Sequence, residues 1–233
     1  MEIHSQFDSD LPENEGISIA IMSYGLRQQH VGIYFKVDGD QLRLLHQPWH
    51  RDVLIGDPSN KYLWLDVALD PDNQTHMATM CEMIGGMNPD GIPYSICNRG
   101  TSFSALGVYE AEHAYAGLTC ATFVMRVFES NGFPIINEDD WSHITPDRTW
   151  QTQILQALEN AGVDKNHMAY QLQRKQEGVT RYKPEEVATA AALPMSDKGY
   201  APEDVHDGAA EIMTQLGAHI SKLEKKSSPV VKN

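Results

Sequence analysis

Cys120 opens the segment with the most chemical potential in the chain. A thiol is a useful nucleophile only as its thiolate, and an unperturbed thiol has a pKa of about 8.5. Thr119 is a good helix N-cap. Phe123, Val124, Val127 and Phe128 then fall at i, i+1, i+4 and i+5, one apolar stripe that stops at Gly132. The spacing therefore predicts a buried helix with Cys120 in its first turn. The helix dipole and the unbonded N–H groups there favour a thiolate, and the same N–H groups can hold an oxyanion. The plainer alternative is a small buried hydrophobe, the usual state of a free cysteine.

A thiol nucleophile needs a base. His30 begins the strand-like run Val31-Gly32-Ile33-Tyr34-Phe35-Lys36-Val37, Asp38-Gly39-Asp40 is a turn signal, and Gln41 to His46 returns as the next strand. In an antiparallel hairpin the start of one strand lies beside the end of the next. His30 and His46 thus become neighbours without any long-range assumption. One imidazole can take the thiol proton while the other holds the first ring in its working tautomer. Taken alone, the pair reads more readily as two edge-of-sheet histidines facing solvent. His50, four residues on, also faces the site in this reading, and His113 is a third-choice base.

The other cysteines are weaker candidates. Cys81 sits in a Met-rich helix and reads as core, and Cys97, close to Tyr94 in an irregular stretch, reads as exposed. Neither has C-x-x-C spacing, and with Cys120 they fit no usual zinc pattern, so no metal and no cofactor is expected.

The elements that must position these residues follow from pattern. Strands are expected at 17–22, 31–37, 41–46 and 61–67, and a helix starts at Asp70-Pro71 and ends at Gly85-Gly86. Residues 88–118 are rich in Gly, Ser and Asn and without period, and such a long irregular stretch is often functional. Beyond Trp141 helices are expected at 147–161, 164–177, 184–193 and 202–226. Asn137 to Trp141 reads as a helix start or the lip of a cleft. The order predicts an α+β fold with helices segregated from an antiparallel sheet. Residues 1–140 would form the reactive domain, 141–226 a helical extension or accessory region, and 227–233 a loose tail.

A resemblance appears in these same residues. His30-Val31-Gly32-Ile33-Tyr34-Phe35, followed by the turn and Leu44-Leu45-His46, resembles the histidine hairpin of the NlpC-type papain-like cysteine hydrolases. Thr119-Cys120-Ala121-Thr122-Phe123-Val124 resembles that family's nucleophile helix, and Gly91-Ile92-Pro93-Tyr94 its G-x-P-Y segment. Here the hairpin precedes the cysteine, as in the circularly permuted branch that includes the lecithin:retinol acyltransferase-like proteins. Where the family has Asp before the cysteine and Ser-Gly after it, this chain has Thr119 and Ala121-Thr122. The likeness spans about residues 17–133. It implies a papain-like sheet packed on the cysteine helix, with Cys120 as nucleophile, His30 as base and His46 as third member. It also implies Tyr94 near the thiol, so that Tyr94 and Thr119 are the expected oxyanion or substrate-positioning residues. The implied activity is a thiol hydrolase, peptidase or amidase, working through an acyl-enzyme on a peptide or acyl substrate. The permuted branch also admits an acyltransferase or thioesterase, and the altered residues around Cys120 admit a non-catalytic binding module.

Composition bounds these readings. The chain has 233 residues, 18 Lys+Arg against 32 Asp+Glu, a net charge of −14, and 41% hydrophobic residues. That suits one domain with an appendage and a sizeable core. The acidity argues against nucleic-acid binding and against adsorption to anionic membranes. No apolar run approaches the roughly 20 residues of a membrane span, and the polar start Met1-Glu2-Ile3-His4 lacks the pattern of a secretory signal. With three cysteines, an odd number, a cytoplasmic location is the expectation, with specialised secretion left open. The C-terminal helices are the expected surface for any protein partner.

Overall fold

The structure, a computed structural model, describes residues 1–12, 15–24 and 28–227. The tail expected at 227–233 lies, beyond Ser227, outside the described residues. The fold is α+β. Six strands form one antiparallel sheet: β1 (Ile3–Ser5), β2 (Gly16–Ser23), β3 (Gln29–Lys36), β4 (Arg43–Trp49), β5 (Asp52–Gly56) and β6 (Leu63–Asp66). Their spatial order is β1-β6-β2-β3-β4-β5, so β2 and β3 are central. Then come α1 (Pro71–Met87), a small hairpin β7 (Thr101–Phe103) and β8 (Tyr109–Ala111), and α2 (Cys120–Ser130). The remaining helices are α3 (Glu138–Trp141), α4 (Arg148–Asn160), α5 (Lys165–Glu177), α6 (Pro184–Ala192) and α7 (Pro202–Ser227).

Side chains alternate across the strands, and both faces of the sheet centre are covered. Ile17, Ile19 and Ile21 of β2 and Val31, Ile33 and Phe35 of β3 join one core with Met77 and Ile84 of α1 and Phe123, Val124, Val127 and Phe128 of α2. Ala20, Met22, Tyr34, Leu44, Tyr62 and Trp64 form a second cluster on the other face. Double-sided burial explains why β2 reads as a nearly continuous apolar run.

Three expectations are corrected. The polar lead-in contains β1, whose Ile3, His4 and Ser5 pair with Leu65, Trp64 and Leu63 and so cover the β6 edge. A strand unexpected from sequence, β5, pairs with β4 at the other edge; its alternation leaves Asp52 and Leu54 exposed, so no buried stripe announced it. The irregular stretch holds the β7–β8 hairpin. The principal core also crosses residue 140, because Val187, Ala188 and Ala191 of α6 and Val205, Ile212 and Leu216 of α7 belong to it. Helices α4 and α5 instead build a separate cluster, in which Ile154, Leu155 and Leu158 pack with Tyr94, Ile96 and Cys97.

Candidate active site

Helix α2 starts where the sequence places it. Thr119 is the N-cap: its Oγ1 accepts from Thr122 N–H at 3.1 Å, and Thr122 Oγ1 accepts from Thr119 N–H at 2.8 Å. This reciprocal capping box puts Cys120 at the first helical position. It also engages the Thr119 hydroxyl, so Thr119 acts here as a cap at the cleft wall.

The histidine pair forms as the hairpin requires. In β3–β4 the register is Ile33↔Leu45, Tyr34↔Leu44 and Phe35↔Arg43, which brings His46 opposite Gly32. A Cβ on Gly32 would come within 2.9 Å of His46 Cβ and 2.8 Å of the Leu45 carbonyl oxygen. The missing side chain at Gly32 lets the His46 ring reach diagonally to His30, with Nδ1 of His46 and Nε2 of His30 2.8 Å apart. One ring donates and the other accepts. That bond uses Nε2 of His30 and leaves Nδ1 as the nitrogen for a further partner. His30 is only 3% exposed; burial, reinforced by the positive charge His46 can carry, pushes its pKa down to about 3. His46 is lowered too, by burial, against the pull of Asp52.

Cys120 is buried, and its electrostatics run opposite to the sequence expectation. Desolvation pushes the thiol up to about 11, although backbone N–H groups of Val31, Ala121 and Cys120 itself and the charge of Arg181 favour the thiolate. The helix start is present, but exclusion of water outweighs it. The sulfur meets the N–H of Val31, the residue after His30. By strand alternation His30 points with Tyr34 to one sheet face, whereas α2 packs on the face of Val31 and Ile33. Tyr24 and Tyr62, whose rings lie 5.9 and 6.4 Å from that of His30, are both close enough to Cys120 to feel its charge, but among the described residues no hydrogen bond joins Cys120 Sγ to His30.

Tyr94 arrives at the site by backbone pairing. It forms a parallel bridge with Leu118, and Leu118 N–H donates to Pro93 O at 2.9 Å. Gly117 is indispensable to this approach, since a Cβ there would lie 1.9 Å from Pro93 O. Gln47 Nε2 donates to Ile92 O at 3.1 Å, tying the segment to β4. The phenol is pushed up by burial, and Cys120 and Arg181 are both close enough to act on it electrostatically.

Two further histidines clamp the Tyr94 backbone. His50 Nδ1 accepts from Tyr94 N–H at 3.2 Å, and His167 Nε2 donates to Tyr94 O at 2.9 Å. His50 is thus a positioning residue next to the site, with its pKa lowered to about 4 by burial and by His167 and Arg51. His113 is elsewhere, stacked on Tyr170 at 4.5 Å between ring centroids. Cys81 is core, as its helix suggests. Cys97, expected exposed, is buried at 3% under α5, where Gln171 Oε1 accepts from Ser95 Oγ and Ile96 N–H. Glu138, at the start of α3, pairs with buried Arg126 at 2.7 Å, so that acidic run serves as a structural anchor.

The cleft at Cys120 is covered by residues absent from the sequence reading: Trp150 of α4, Arg181 and Tyr182 of the following strap, and Pro184 of α6. Its volume is about 20 Å³, room for about one water. A more open cavity of about 720 Å³ lies around His4, Tyr34, Trp64 and Asp66 and includes neither Cys120 nor the histidine pair. Their wide separation in sequence hid the cover residues; only the aromatic Trp150 was an available cue.

No helix among the described residues is long and apolar enough to cross a membrane. No family model, curated protein or solved structure matches the chain.

Proposed function

We propose that the protein is a thiol hydrolase of the peptidase or amidase type, with a permuted papain-like arrangement of Cys120, His30 and His46. The observation that carries this reading is the 2.8 Å bond between His30 Nε2 and His46 Nδ1 beside a helix that begins at Cys120. It leaves His30 Nδ1 for the thiol proton. Cys120 then attacks a carbonyl, the proton passes to His30, and the acyl group rides on sulfur as a thioester. His30 returns the proton to the leaving amine, and water attacks the thioester with the same base. The N–H of Cys120 and the nearby Tyr94 face the developing oxyanion. His46 orients and polarises His30.

The test is acyl-enzyme capture. The protein is incubated with mixed peptide amides and thioesters, and intact mass identifies a hydroxylamine-sensitive adduct at Cys120. Cys120→Ala loses adduct and turnover, and His30→Ala slows turnover by about 10²–10⁴-fold. Full turnover by Cys120→Ala overturns the assignment. A second reading, a binding module without catalysis, is favoured by the protonated thiol and the nearly closed cleft. Absence of any adduct across the panel, with Cys120 modified only in unfolded protein, selects that reading.

A further inference from the structure

Among the described residues the covered cleft carries buried donors and no charged acceptor. Arg181 is, among the described residues, its only cation, and no Asp or Glu lines it. Arg181 Nη1 is held by Asp147 Oδ2 at 2.6 Å, and the guanidinium lies over the Trp150 ring at 4.6 Å. That leaves the Nε–Nη2 edge, the one that receives a carboxylate side-on. Arg181 Nε is buried and has no hydrogen-bond partner among the described residues. Gln29 Nε2, beside His30 and in the same cleft, is also buried without a partner among the described residues, in a residue only 7% exposed. Two orphaned donors in one small cleft are unusual, because a buried donor without an acceptor has given up its hydrogen bond to water for nothing. A ligand that brings acceptors removes that cost. Arg181, Cys120 and Tyr94 line the same small cleft, so a ligand of Arg181 bound there lies near the sulfur.

We propose that this cleft takes a substrate carboxylate close to the scissile carbonyl, received by the Nε–Nη2 edge of Arg181 and by Gln29 Nε2. The substrate class is an acyl compound or peptide carrying a carboxylate, from an acidic side chain or a free α-carboxyl group, within a few bonds of the bond cleaved. The proposal rests on Cys120 being the nucleophile. Asp147 keeps the guanidinium in place and, as N-cap of α4, ties that recognition to the cover itself.

The test compares alkylation of Cys120 by iodoacetate, which carries the carboxylate, and by iodoacetamide, which does not. Both need the thiolate, so their rate ratio cancels the thiolate fraction. Relative to N-acetylcysteine amide, the iodoacetate:iodoacetamide ratio at Cys120 should be raised about tenfold, as a charge-assisted hydrogen bond implies. Arg181→Gln should return it to the reference value. Arg181→Lys, which keeps charge and loses the fork, should fall between. Asp147→Asn, which can still cap α4 through its amide oxygen but no longer anchors Nη1, should lower it; this variant keeps the test open if Arg181→Gln fails to fold. Protection from iodoacetamide identifies the source: N-acetylglutamic acid α-amide presents a side-chain carboxylate, N-acetylglutamine a free α-carboxylate, and N-acetylglutaminamide neither. A ratio equal to the reference thiol in the wild type, or protection by neither carboxylate, overturns the proposal. Failure of the underlying reading shows differently, as an absolute labelling rate indifferent to His30→Ala.

Discussion

Trp150→Ala should convert Cys120 from a protected thiol to a reactive one. Cys120 is pushed up to about 11 by desolvation, and the indole is part of the wall that excludes water. At pH 7 a thiol of that pKa is about 10⁻⁴ ionised, and one returned to about 8.5 is about 3% ionised. The predicted gain in iodoacetamide labelling at neutral pH is therefore about 300-fold. The closed cleft is also a poor place for proton transfer. With the thiol at about 11 and His30 at about 3, the gap of about 8 units corresponds to about 11 kcal/mol. Attraction between the ions formed would return only about 4 kcal/mol of this even at a separation of about 4 Å. A working enzyme must open, or its substrate must replace the missing water with polar groups. The assay is labelling rate from pH 6 to 10 by mass spectrometry, with buried Cys81, which packs in the principal core, as internal reference and Cys97, which shares a cluster with Trp150, followed beside it. Helicity and melting temperature establish that the variant is folded. Equal acceleration of all three cysteines would mean general loosening. Either that result or a Cys120 rate unchanged within about threefold refutes the account of the cover.

Other outcomes follow from the same geometry. His30 is held at about 3 when folded and returns to about 6.5 when unfolded, so below pH 6.5 the unfolded chain takes up a proton that the folded one refuses. Its stabilising contribution is complete above pH 6.5 and declines as the pH falls towards 3, by about 2 kcal/mol at pH 5; His50, also lowered, acts in the same direction. Urea midpoints between pH 7.5 and 5 should show this slope, reduced in His30→Gln, and a flat profile for the wild type contradicts it. Gly32→Ala drives a methyl into Leu45 O and His46 Cβ and should cost about 1–3 kcal/mol in urea unfolding while impairing turnover, with wild-type behaviour in both as the refuting result. Thr119→Ala removes half of the capping box and should cost about 1 kcal/mol, whereas Thr119→Ser should retain most of it; equal losses in the two would deny the cap its role.

The division between what the sequence shows and what it conceals follows contact range. The His30–His46 pair, the Thr119 cap and the four C-terminal helices are written in short segments, where turn chemistry and period determine geometry. Strands β1 and β5 lie at the sheet edges: β1 is only three residues long, too short to show a period, and β5 leaves Asp52 and Leu54 exposed. The state of Cys120 is harder still, because its electrostatics depend on Trp150, Arg181 and Tyr182, at least 30 positions away in the chain. Helix-start chemistry alone favours a thiolate, and burial by distant residues reverses it. The same distant residues carry the orphaned donor of Arg181. The segment that suppresses the thiol is thus also the segment with an unmet need for a carboxylate, which couples the two effects. A carboxylate entering along Arg181 would bring acceptors to the buried donors while it displaces the cover from the sulfur. Substrate recognition and activation of Cys120 then become one event, and Arg181→Gln should weaken activation by carboxylate substrates more than it alters labelling by neutral iodoacetamide. An equal effect on both would separate recognition from activation.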